Sequence, residues 1–279
     1  MTISAPAKIN WNLRILGLRE DGYHELETLM VPVPTLHDTL EIELSKGETG
    51  VTFTCDDTSV PVGASNLVVR AAKMFFEARG GECGVRIHLT KRIPVQAGLG
   101  GGSSDAAATL LGLNRLCGDA FSLETLEMLA GRLGADAAWF VRGDVAVCRG
   151  RGEIIGEAVA LPRFPILLVK PPFGVSTPWA YRAWDELKGG RELSAPSRIA
   201  GAKSSRPPLI FNDLETPVFA KYTLLPVMKN WLSRQNGVLA AAMSGSGSTL
   251  FAILREARDA QLLAAQLRAK FGATLWVHY

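Results

Sequence analysis

The residues best suited to chemistry lie in Pro94-Val95-Gln96-Ala97-Gly98-Leu99-Gly100-Gly101-Gly102-Ser103-Ser104-Asp105, where four glycines fall within five positions ahead of an Ala/Leu-rich run. Backbone without Cβ atoms reaches φ > 0 and lets a ligand approach its N–H groups closely. A helix opening behind it adds unpaired donors and the positive end of a dipole. Such a loop suits phosphate. It lacks the lysine that follows the last glycine of a Walker A loop, and Ser103 stands where a Rossmann fingerprint needs its third glycine. Taken alone, it is either an anion site or a glycine-rich turn that packs a helix close to a sheet.

Other polar groups stand out from their surroundings. Lys8 and Asn10 alternate with Ile9 and Trp11 on one face of a strand, a face that ordinarily meets water. Tyr23 and His24 follow an acidic, glycine-containing bend that begins at Arg19. Asp136 sits among small and apolar residues between Gly134 and Gly143, so it needs a partner or a task, as a helix cap or as a catalytic base. Ser244-Gly245-Ser246-Gly247 lies between two apolar runs that read as buried strands, which a tight hairpin would join.

The elements that must hold these groups are legible from periodicity. Val85, Ile87 and Leu89 predict a half-buried strand leading into the glycine loop, and Ala106 to Asn114 predict a helix behind it, capped by Ser103 or Ser104 with Asp105 in its first turn. Residues 41–44 and 51–54 predict an antiparallel pair. Helices are expected from Asn66 to Arg79, from a Ser122 cap to a Gly134 stop, from Ser176 to Trp184 with Tyr181 within it, and from Ala257 to Phe271. The segment Lys188–Pro208, rich in Gly, Ser, Arg, Lys and Pro, reads as a surface loop, and the turn at Arg149–Gly152 marks the end of a first domain.

At 279 residues the chain has room for two ordinary domains. No apolar run approaches the roughly 20 residues that span a bilayer, and the N-terminus has neither the basic start nor the apolar core of a signal peptide, so a cytoplasmic address is expected. A formal charge of +3 suits an anionic small molecule and lacks the dense Lys/Arg clusters of a nucleic-acid binder. Cys55, Cys83, Cys117 and Cys148 have no metal-ligand spacing, so they read as reduced thiols, and no metal centre is expected.

Together, Ala7-Lys8-Ile9-Asn10, Asp21-Gly22-Tyr23-His24, Asn66 to Arg70, Lys91 to Pro94 running into Gly98–Ser104, Gly134-Ala135-Asp136, Asn212 to Glu215 and Ser244 to Gly247 resemble, in order and spacing, the GHMP family of small-molecule kinases. The resemblance covers nearly the whole chain. It implies an α+β fold of two domains, 1–155 and 156–279: a ribosomal-protein-S5-like N-terminal domain and a ferredoxin-like C-terminal domain, with the active site in the cleft between. It implies transfer of the ATP γ-phosphoryl to an alcohol by Lys8 and Asp136, with ATP as co-substrate held by Pro94–Ser104 and, on the adenosine side, by Asn66 and Lys91. Asn10, Tyr23, His24 and Tyr181 would bind a small-molecule substrate through its cytidyl group. Ser244, Gly245, Ser246 and Gly247 would form an active-site loop. Mg²⁺ would arrive with the nucleotide, without a protein cage of its own. No nucleic-acid or membrane partner is implied, and the protein would be a monomer or homodimer. The loop departs from the family's more usual Met-Gly-x-Gly by reading Val95-Gln96-Ala97-Gly98.

Overall fold

The computed structural model describes residues 1–45, 47, 49–81, 83–188 and 209–279. In chain order its elements are β1 (Thr2–Leu18), β2 (His24–Ser45), β3 (Val51–Cys55), α1 (Leu67–Arg79), β4 (Gly84–Thr90), α2 (Gly101–Leu116), α3 (Leu123–Leu133), α4 (Ala135–Arg142), β5 (Ala146–Gly150), β6 (Ile154–Ala158) and β7 (Ile166–Lys170). They continue with α5 (Thr177–Lys188), α6 (Glu215–Lys221), α7 (Leu224–Leu232), β8 (Val238–Met243), β9 (Leu250–Leu254), α8 (Asp259–Phe271) and β10 (Trp276–His278). Most of the Lys188–Pro208 loop lies outside the described residues.

Two compact units share this chain. Met1–Lys8, Pro32–Val95 and Gly100–Asp144 form the first; Ile9–Val31, Gln96–Leu99 and Val145–Tyr279 form the second. The long strands β1 and β2 contribute residues to both.

In the first unit, β4 runs antiparallel to β2, with Thr39 opposite Thr90 and Ile42 opposite Ile87, and parallel to β3, with Phe53 opposite Ile87. The expected antiparallel pair of 41–44 with 51–54 is therefore not formed, because β4 lies between those strands. Alternation identifies a strand and its buried face but not its partner; here Val85, Ile87 and Leu89 bury a row that both neighbours share. Helix α2 packs against α1, α3 and α4. Its small residues permit a close approach: a Cβ on Gly112 would come within 2.6 Å of the Ile42 side chain. Asn66 caps α1 by accepting from the Val68 N–H at 2.8 Å, and Phe75 and Phe76 on its buried face anchor it. Ser122 caps α3, and Gly134 ends it with its N–H on the Ala130 carbonyl, as the sequence predicts.

The second unit holds an antiparallel sheet in the order β10-β7-β9-β8. Its core gathers Trp184 of α5, Leu225, Met228 and Leu232 of α7, Leu263 and Leu267 of α8, and Leu13, Ile15 and Leu26 from the start of the chain. Burying each such side chain contributes about 1.5–3 kcal/mol, so three early residues anchor a fold completed much later in the chain.

Candidate active site

In the first unit the glycine loop opens α2 differently from the expected Ser cap. The cap position is Gly100, in the left-handed region at φ 73°, ψ 14°, and it carries no side-chain cap. Ser103 and Ser104 lie inside the first turn, and Asp105 follows it. The first helical bond runs from the Ser104 N–H to the Gly100 carbonyl at 2.9 Å, so the N–H groups of Gly101, Gly102 and Ser103 precede the helical ladder. Any side chain at Gly100 would collide: its Cβ would lie 2.8 Å from the Phe140 ring and 3.1 Å from Cε of Lys8. The glycines keep the backbone close to that lysine.

Lys8 reaches from β1 to Asp136 in the first turn of α4, Nζ to Oδ2 at 3.2 Å. The ammonium is nearly sealed, at 4% exposure, whereas the carboxylate stays open at 28%. A buried lysine requires a counter-charge, and Asp136 supplies it while keeping an accessible edge. Asp136 is not a cap, because that position belongs to Gly134.

Lys91 is held elsewhere. Its ammonium sits between Asp38 and Asp105, 2.8 Å from the latter. Asp38 also accepts the backbone N–H groups of Arg92 and Ile93, tying the strand that enters the loop. Burial, above all, pushes the Asp105 carboxyl up to about 8; Lys91 pulls against that, and Asp38 adds to it. Asn66 spends its side chain on the Val68 N–H and on the Pro61 carbonyl. Both expected adenosine-side residues are engaged in holding the frame.

In the second unit the other half of the loop, Gln96–Leu99, meets the second small-residue loop, which joins β8 to β9 as a hairpin. Ser244 Oγ donates to the Gly98 carbonyl at 2.9 Å and accepts the Asn10 N–H at 3.2 Å, while the Thr249 N–H donates to the Ala97 carbonyl. Ser246 Oγ lies 2.8 Å from Thr177 Oγ1. Gly245 faces Asn10 Oδ1, and Gly247 closes the turn by donating to the Ser244 carbonyl. Asn212 fixes the loop from behind, donating to the carbonyls of Met243 and Gly245 at 2.8 and 2.7 Å. Asn10 is buried and donates to Thr28 Oγ1 at 2.8 Å.

Tyr23, His24 and Tyr181 also belong to this unit, in an arrangement the sequence does not predict. Tyr181 stacks on His24, ring centroids 4.9 Å apart and planes 25° apart. Tyr23 is 56% exposed and lies beneath the Arg151 guanidinium, 4.9 Å from its centroid. His24 Nε2 is 2.7 Å from Asp185 Oδ1. Asp185, Arg151, Asp38 and Asn212 are the polar groups that the sequence leaves unassigned. Only Asn212, in a motif quoted for the family, carried a signal.

A glycine loop opening a helix, with an open carboxylate and a sealed lysine beside it, has the parts that phosphoryl transfer to a hydroxyl requires. Residues 66–148 match the GHMP kinases N terminal domain and residues 199–273 the GHMP kinases C terminal model. The chain belongs to the GHMP kinases, two-domain α+β phosphotransferases that act on an alcohol. It is 44% identical over 279 residues to the 4-diphosphocytidyl-2-C-methyl-D-erythritol kinase of Methylacidiphilum infernorum (isolate V4), covering 98% of this chain and 93% of that one. A crystal structure of 4-(cytidine 5'-diphospho)-2C-methyl-D-erythritol kinase matches with a TM-score of 0.81 at 40% identity, over 99% of this chain and 98% of that one. Within the GHMP kinases, the chain is thus a member of the 4-diphosphocytidyl-2-C-methyl-D-erythritol kinase family. The mevalonate kinase of Methanococcus jannaschii, 13% identical with a TM-score of 0.65 over 100% of this chain and 96% of its own, shares the fold.

Proposed function

We propose that this protein transfers the γ-phosphoryl of ATP to the 2-hydroxyl of 4-diphosphocytidyl-2-C-methyl-D-erythritol, a step of non-mevalonate isoprenoid precursor synthesis. The observation that carries the chemistry is the Lys8–Asp136 pair, 3.2 Å apart, with Lys8 against Gly100 at the opening of α2. The N–H groups of Gly101, Gly102 and Ser103 take the phosphate oxygens, with the helix dipole behind them. Lys8 stabilises the charge on the transferring group. The open carboxylate of Asp136 accepts or orients the hydroxyl proton. Pro94–Leu99 continue the nucleotide loop and Ser244–Gly247 brace it, while Asn66 and Lys91 line the adenosine side as its frame. Asn10, Tyr23, His24 and Tyr181 take the cytidyl group.

Mg²⁺ would be brought by the nucleotide and would neutralise charge on its phosphates. Among the described residues, no three His, Cys, Asp or Glu side chains converge as a metal cage. We take the domains as 1–155 and 156–279, which contain the matched segments 66–148 and 199–273 respectively. Among the described residues no helix is long and apolar enough to cross a membrane; we assign a cytoplasmic enzyme, monomeric or homodimeric.

The test is ADP release from Mg-ATP with the cytidyl substrate, against mevalonate, homoserine and galactose. Turnover confined to the cytidyl compound is expected; turnover with another alcohol instead would overturn the substrate. Asp136→Asn is expected to lower kcat by about 10²-fold or more with KM little changed. Near-normal turnover in that variant would remove Asp136 from the reaction.

A further inference from the structure

Three side chains on one face of α5 surround His24. Tyr181, Trp184 and Asp185 stand at i, i+3 and i+4, so a single helical face presents them together. Tyr181 covers one face of the imidazole. Trp184, itself buried, meets the ring edge-on at 5.7 Å and 89°. Asp185 Oδ1 lies 2.7 Å from Nε2. The ring is only 8% exposed, and these contacts fix its orientation.

We infer that Asp185 is a positioning residue that sets the tautomer of His24 and thereby selects cytosine over uracil. An ionised carboxylate only accepts, so the proton of the neutral imidazole is held on Nε2. Nδ1 is then left bare as an acceptor, and it has no hydrogen-bond partner among the described residues. Cytosine offers an exocyclic N4–H₂ donor where uracil has a carbonyl oxygen. A bare Nδ1 pairs with the first and repels the second. A site built around one hydrogen bond rejects the analogue that cannot make it, because the buried group is left unpaired. The inference rests on the cytidyl assignment above and deepens it.

Nitrogen-15 NMR of the full-length protein, recorded as a pH series up to the plateau of the neutral ring, reads the tautomer directly. The His24 signals are assigned by their loss in His24→Gln. An Nε2–H tautomer is expected in the wild type and a mixture of tautomers in Asp185→Asn, whose amide both donates and accepts. Calorimetric titration with CDP and UDP supplies the second readout. The wild type is expected to prefer CDP by about tenfold or more; Asp185→Asn should weaken CDP by a similar factor, leave UDP nearly unchanged, and raise KM for the cytidyl substrate without changing kcat. Asp185→Glu, which keeps an acceptor, is expected to restore part of the preference. An Nδ1–H tautomer in the wild type, or an unchanged CDP/UDP ratio in a folded Asp185→Asn, would overturn the inference alone. An Nε2–H tautomer in a wild type that ignores CDP would instead overturn the cytidyl assignment, and this inference with it.

Discussion

A β-carbon on Gly98 would lie 2.1 Å from the Ser244 carbonyl oxygen, and its φ of 74° is left-handed. Gly98→Ala is therefore expected to cost more than the roughly 1–2 kcal/mol of a left-handed alanine alone, because backbone on both sides must part. Chemical denaturation would check this; an unchanged midpoint would mean that the two loops are not packed together. Gln96 is the converse case, a side chain in the left-handed region at φ 52°. Gln96→Gly is expected to stabilise by about 0.5–1 kcal/mol, read by the same assay; an unchanged or lower midpoint would mean that the side chain's packing against Gly174 outweighs the backbone relief. The glycine spacing made this loop legible in the sequence, as did the isolation of Asp136 among apolar neighbours. Asp185 was not legible, since it acts on a histidine 161 residues away and no local pattern marks it.

At the scale of elements, the Asp38–Lys91–Asp105 cluster joins the strand entering the loop to the helix leaving it. Lys91→Met would abandon two buried carboxylates and is expected to destabilise by about 3–5 kcal/mol. The cluster also predicts a pH dependence. Asp105 titrates near 8 when folded against an ordinary 3.8, so the folded state binds its proton more tightly. The resulting stability is complete below the ordinary value and is lost as pH rises towards about 8. Lys91, raised above 10.5, contributes unchanged across that window. Comparing denaturation midpoints of the wild type and Asp105→Asn between pH 4 and 8 isolates the effect: the variant should lose this downward slope. The cap at Ser122 and the stop at Gly134 were legible because capping is local chemistry. The start of α2 was displaced because Gly100, by packing against Phe140 and Lys8, wins the cap position from two serines with better propensity. The partner of β3 was hidden because pairing is a long-range property.

For the molecule as a whole, the α+β class and the family were legible from motif order, whereas the interleaving of the two compact units was not. The chain passes from one unit to the other at 8/9, 31/32, 95/96, 99/100 and 144/145. A fragment 156–279 would lack Leu13, Ile15 and Leu26 from its core. It is expected to unfold without a cooperative transition and to bind a hydrophobic dye, and a sharp calorimetric transition would contradict this. The same interleaving has a consequence during synthesis. The last residue of the first unit, Asp144, is added to the chain while most of the second is still untranslated, so Ile9–Val31 is made early and then waits. At the ~5–20 residues per second of translation, the remaining 135 residues take several seconds or more. Throughout that interval the nascent chain carries Trp11, Leu13 and Ile15 without the sheet that will bury them.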